Sequence, residues 1–128
     1  MHLTFYLPCI MKTAYASITP YVTKDGSQIR ELMHPAQQGN QAQSLAEAMV
    51  APGTKTALHR HRVTEDIYHI TQGAGRMTLG ERQFNVAVGD TICILPGMAH
   101  CIECVGDAAL KILCACSPAY AHEDTALL

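Results

Sequence analysis

Residues 59–75 read HRHRVTEDIYHITQGAG, from His59 to Gly75. In an extended strand, residues two apart point the same way, so His59 and His61 project from one face and Arg60 and Arg62 from the other. Two adjacent carboxylates, Glu65 and Asp66, then open an apolar run that ends on Gly73. Two imidazoles side by side, with a carboxylate arriving from the next strand, make three corners of a metal site. Neutral imidazole with one carboxylate suits Fe, Mn, Ni, Cu or Zn. Taken alone, an H-x-H pair on a strand is more often a solvated surface feature. Its surroundings decide between the two.

Those surroundings are punctuated like a β protein. From Ser27 onward, apolar runs of strand length alternate with turn signals at Pro52-Gly53, Gly73 to Gly75, Gly80-Glu81, Gly89-Asp90, Pro96-Gly97 and Gly106-Asp107. The stretch QAQSLAEAMVA, residues 41–51, favours helix by propensity. It also has period two, with Leu45, Glu47 and Met49 on one face, and Gly39-Asn40 and Pro52-Gly53 bound it; the reading is strand. Further on, Gly89-Asp90 closes a turn, TICIL runs as a buried strand, and Pro96-Gly97-Met98-Ala99 turns tightly to deliver a third histidine, His100.

With that histidine in place, the chain resembles the cupin family. The first cupin motif, G-x5-H-x-H-x4-E-x6-G, is met by Gly53, His59, His61 and Gly73, with Asp66 where glutamate is usual. The second, G-x5-P-x-G-x2-H-x3-N, is met by Gly89, Gly97 and His100, with Leu95 replacing the proline and Cys104 the asparagine. Two spaced motifs that agree are far more specific than either alone. The chain also resembles small single-domain bacterial cupins in its DGSxIREL stretch, Asp25 to Leu32, and its PxYxHEDT stretch, Pro118 to Thr125.

The resemblance implies an all-β, double-stranded β-helix, a jelly-roll-like barrel of two antiparallel sheets. It implies a single barrel domain over residues 25–128, preceded by an N-terminal extension or arm over 1–24. Carried over by position, the ligands of one divalent transition metal are His59, His61, Asp66 and His100. If Asp66 faces inward, strand parity turns Tyr68 and Ile70 inward with it and Glu65, Ile67 and His69 outward; if Glu65 is the ligand, Ile67 and His69 line the pocket instead. Glu65 has the longer reach and Asp66 the family spacing, and a three-histidine site is the remaining possibility. Tyr68 is the candidate catalytic residue beside the metal, to be weighed against a plain core tyrosine. Glu47 and Arg76 are weaker pocket candidates, with solvated strand positions the better reading.

Composition narrows the rest. The 128 residues suit one domain, and a formal charge of −2 gives no reason to expect nucleic acid or an anionic membrane as partner. With 48% hydrophobic and 16% charged residues, some surface is expected to be hidden in a homodimer, through the N-terminal strand or the loop from Pro35 to Gln43. In MHLTFYLPCI no positive charge precedes the apolar run and Pro8 interrupts it, which argues against an export signal and for a cytoplasmic protein. Met11 suggests that the first ten residues are an upstream extension of the reading frame.

The six cysteines include Cys101-x2-Cys104 and Cys114-x-Cys116, both read on strands, where residues three apart face opposite ways. Buried free thiols are the reading, with Cys104 the one positioned to line the barrel near His100. His2, His34 and His69 need no function. In the tail, Tyr120 and His122 belong either to a lid over the barrel mouth or to an ordered surface arm. Two functions are carried forward. One is a metal-dependent enzyme acting on a small oxygenated metabolite such as a sugar, ketoacid or polyketide, by isomerase, cyclase or dioxygenase chemistry. The other is a non-catalytic small-ligand-binding or sensor protein.

Overall fold

The structure is a computed structural model that describes residues 11–128, so the readings placed on MHLTFYLPCI, with His2 and Cys9, fall outside the described residues. Alternation sets the strands. β1 (Tyr21–Val22) and β2 (Gln28–Met33) precede a one-turn helix, α1 (Pro35–Gln38), and β3 (Ser44–Val50) follows it. β4 (His59–His61), β5 (Glu65–Gln72), β6 (Ala74–Leu79), β7 (Arg82–Ala87) and β8 (Thr91–Ile94) lead to β9 (His100–Val105), β10 (Leu110–Ser117) and β11 (Thr125–Leu127). Every turn glycine from Gly53 to Gly106 that the sequence marked as punctuation, apart from Gly75, has positive φ.

The strands form two antiparallel sheets, ordered β1-β2-β3-β10-β5-β8 and β11-β4-β9-β6-β7. This is the double-stranded β-helix, a jelly-roll-like barrel of two antiparallel sheets, that the resemblance implies. Within the expected N-terminal arm, Tyr21 pairs with Ile29 and Val22 with Gln28, so the arm's end is built into the larger sheet. Residues 41–51 do form a strand, β3, although their composition favours helix. Tertiary pairing overrides propensity here, because Ser44, Ala46, Ala48 and Val50 face the barrel interior while β2 and β10 satisfy the strand on both edges.

Register then grades the interior. Ser44, Cys116, Asp66 and Ile94 lie in one row across four strands, and Ala46, Cys114, Tyr68 and Ile92 lie in the next. Ala48, Ile112 and Ile70 form a third row, which is wholly apolar. The barrel is therefore polar toward one end and closed at the other by Ile70, Met77, Ile102, Leu110 and Ile112, each at most 1% exposed. Close packing there leaves no room for extra atoms. A Cβ on Gly75 would meet Glu103 O at 3.0 Å and the side chains of Leu110 and Val86 at 3.1 Å.

This end of the barrel carries the stability. Ile112→Ala is expected to cost about 2–5 kcal/mol through lost burial and the cavity left behind. Urea unfolding checks it: the midpoint should fall while the slope is unchanged.

Candidate metal centre

The open end of the barrel collects the chemistry. His59 and His61 are buried on β4 with Arg60 exposed between them, and β4 pairs with β9 so that His59 stands opposite His100. The ring centroids of His59 and His100 are 4.1 Å apart, and each lies 5.3 Å from that of His61. One ligand nitrogen from each ring can be chosen so that all three lie within 4.8 Å of one another.

Their outer nitrogens are all occupied. His59 Nδ1 lies 2.8 Å from Ala57 O and His100 Nδ1 2.9 Å from Met98 O, and a carbonyl accepts only from an N–H. His61 Nδ1 lies 2.9 Å from Thr125 Oγ1, whose hydroxyl donates to Ala121 O at 3.0 Å, so the threonine accepts from the ring. In each ring this network puts the proton on Nδ1 and leaves the Nε2 lone pair free, the arrangement that orients metal-ligating histidines. His100 Nε2 is buried and has no hydrogen-bond partner, and the same holds for Asp66 Oδ1. Orphaned buried acceptors carry a desolvation cost of about 1–3 kcal/mol each, which a shared cation would relieve. The donor set fits a divalent transition ion.

Two carboxylates approach the histidines. Asp66, 4% exposed, brings Oδ2 to 3.7 Å from His61 Nε2. Asp25 brings Oδ2 to 3.7 Å from His59 Nε2, while its Oδ1 accepts from the backbone and hydroxyl of Ser27. Glu65 faces outward, where its carboxylate accepts from Cys93 Sγ. Reach therefore does not help Glu65, because parity has already turned it away.

Tyr68 is buried below Asp66, its ring centroid 6.0 Å from that of His100. Burial, with Asp66 nearby, pushes its phenol well above the usual value, so at neutral pH it is a hydrogen-bond donor and not a base. Glu47 and Arg76 lie on the outer faces: Glu47 accepts from Tyr15 and pairs with Arg30, and Arg76 donates to Asn85. Cys104, Cys114 and Cys116 are buried, whereas Cys93 is exposed and Cys101 half-buried. Cys104 sits in the core with its thiol donating to Ala108 O, and it does not line the cavity beside the histidines.

Two supports were missed, although both lie in stretches singled out in the sequence. Asp25 begins the DGSxIREL stretch, and Thr125 ends PxYxHEDT. The tail is a sheet strand and not a free lid. β11 pairs with β4, and buried Asp124 accepts from the backbone N–H groups of Val63 and Thr64. Tyr120 faces the cavity, its ring centroid 5.8 Å from that of His61, and its hydroxyl lies 3.0 Å from His122 Nδ1.

Burial holds His61 down at about 4 and His100 at about 3, with the neighbouring imidazoles adding to both shifts. Burial also raises Asp66 to about 7. The two histidines bind protons in the unfolded chain below about 6.5 but not in the folded one, so their contribution is present above that pH and lost as pH falls toward 4. Asp66 acts in the opposite sense, its contribution being lost as pH rises toward 7. Burial also raises Glu31, which acts in the same sense as Asp66 but by a smaller shift than that of either histidine, so the two histidines outweigh both. Metal-free protein should therefore lose stability as pH drops from about 6.5 to 4, and urea midpoints across that range check it; a flat or rising profile would contradict the burial of neutral imidazoles.

A barrel whose mouth brings three histidines together is a jelly-roll fold with a candidate metal site. The chain belongs to the cupin family: the cupin domain matches residues 46–116. An uncharacterized protein of Methanocaldococcus jannaschii is 54% identical over 119 residues, covering 93% of this chain and 95% of that one. An oxalate-binding protein of Thermotoga maritima is 30% identical over 84 residues, 66% of this chain and 65% of that one. Among solved structures, a predicted oxalate decarboxylase of Thermotoga maritima superposes with a TM-score of 0.74 at 24% identity, covering 84% of this chain and 99% of that one.

Proposed function

We propose that residues 25–128 act as one cupin domain that binds a single divalent transition metal on His59, His61 and His100. Asp66 supplies the nearest carboxylate to His61, and the cavity above holds a small oxygenated metabolite. The observation that carries this reading is the set of three Nε2 lone pairs left free by hydrogen bonds at every Nδ1. A metal held there would polarise a carbonyl or hydroxyl oxygen, or lower the pKa of a bound water.

The chain's own residues do the rest. His59 and His61 orient the ligand end of the cavity, the Tyr68 phenol donates a hydrogen bond and positions the reacting oxygen, and the apolar rows beneath exclude water. This supports isomerase or cyclase chemistry, or dioxygenase chemistry if the ion is redox-active. A second reading, a non-catalytic ligand-binding protein, is favoured by the relative whose name is oxalate-binding.

We also propose a homodimer in the cytoplasm. Leu45, Ala115, Ile67 and Cys93 form a row on the outer face of the larger sheet, with Leu45 and Ile67 exposed. No helix among the described residues is long and apolar enough to cross a membrane. The decisive experiment on function is elemental analysis of protein purified without a histidine tag. About one metal per chain supports the site. Less than a tenth, after incubation with Mn, Fe, Ni, Cu and Zn in turn, would remove it. Turnover restored only by redox-inert ions would exclude the dioxygenase branch.

A further inference from the structure

The cavity holds a buried carboxylate, Glu31, that the metal reading does not use. The cavity opens at the barrel mouth, and three carboxylates line it: Asp25, Glu31 and Asp66. Among the described residues, no lysine or arginine lines it. Lys24, the nearest in sequence, is turned to the tail, where it donates to His122 O and Thr125 O. Arg30 points to the other face of β2, toward Glu47 and Tyr15.

Glu31 is the informative member. It is 9% exposed, its Oε2 accepts from the Tyr21 hydroxyl at 3.2 Å, and its Oε1 is buried without a partner. Tyr21, Glu31 and Tyr120 line both this cavity and an outer groove that also holds His34 and His122, so Glu31 stands where one opens into the other. Two imidazoles lie in the groove beside it: His122, whose Nδ1 lies 3.0 Å from the Tyr120 hydroxyl, and His34. His34 Nδ1 accepts from Ala36 N–H, which leaves the ring proton on Nε2, donating to Tyr120 O. A buried acceptor with no partner costs stability unless an incoming group donates to it. A dicarboxylate brings only acceptors and further negative charge.

We propose that this cavity selects a small oxygenated molecule that carries a hydroxyl or amino donor and no negative charge, that it rejects dicarboxylates, and that Glu31 makes the selection. This rests on the metal reading only for the other end of the ligand. The activity of the oxalate-named relative is thus not carried over to this chain.

Binding constants for oxalate, dihydroxyacetone and ethanolamine test it, measured on the tag-free full-length protein loaded with Mn²⁺ by water-proton relaxation. The same probes are run on the metal-free protein by ligand-observed NMR, with metal content determined in every sample. Both donor-bearing probes should bind more tightly than oxalate. Glu31→Gln should narrow the gap by about tenfold or more, the size of one hydrogen bond to a charged group. Oxalate binding as tightly as the other two, no saturable binding of either donor probe, or an unchanged ratio in Glu31→Gln would each overturn the proposal. The wild-type order needs no variant to fold. A protein that holds no metal yet keeps the donor preference would sink the metal reading alone, and the reverse result would sink the selection alone.

Discussion

His100→Ala should abolish metal-dependent stabilisation while leaving the barrel folded. At a free metal concentration about a hundred times Kd, a site worth about 2.7 kcal/mol should raise the melting temperature of the wild-type protein by about 10 °C. Loss of one of three imidazoles removes that gain. Folding should survive, because His100 Nε2 is an orphan in the metal-free protein and its deletion relieves a desolvation cost that offsets part of the lost packing. Differential scanning calorimetry with and without the ion separates the two effects. A variant that still gains the full 10 °C would show that the ion binds elsewhere.

Thr125→Val is expected to weaken metal binding by about 10–100-fold without removing a ligand. Thr125 Oγ1 accepts from His61 Nδ1 and donates to Ala121 O, so it fixes both the tautomer and the ring angle of His61. Valine keeps the shape and the β-branch that suit β11, and the strand's pairing with β4 should persist. A purely structural role would lower the melting temperature of metal-free and metal-loaded protein alike. The tautomer role predicts that loss falls mainly on the metal-loaded form and that Thr125→Ser, which retains the hydroxyl, restores most of the affinity. Isothermal titration with the ion found in the native protein supplies the comparison.

The barrel was legible because its signals are local. Glycine turns, period-two runs and the H-x-H spacing all act over a few residues, and they place β4, β5 and β9 correctly. Once motif spacing turns Asp66 inward, the same period carries Tyr68 and Ile70 with it, and these three are buried while Glu65 is not. The supports that span the chain were not legible. Asp25 meets His59 across 34 positions, and Thr125 meets His61 across 64, through the docking of β11 on β4. No periodicity reports such a pairing.

Glu31 illustrates the same limit. Its period along β2 marks it as facing one side, but the lack of a lysine or arginine beside it becomes visible only once Lys24 and Arg30 have been placed. Cys104 errs the other way: the motif position suggested a place beside His100, while the fold packs its thiol against Ala108 O. Motif spacing fixes which strand a residue occupies. Its neighbours across the barrel depend on the whole topology.

Anomalous diffraction from crystals grown with the native metal tests the central claim most directly. One peak should lie within bonding distance, about 2.0–2.3 Å, of the Nε2 atoms of His59, His61 and His100 together. A fully loaded crystal whose peak lies away from these three nitrogens, or touches only one of them, would contradict the account.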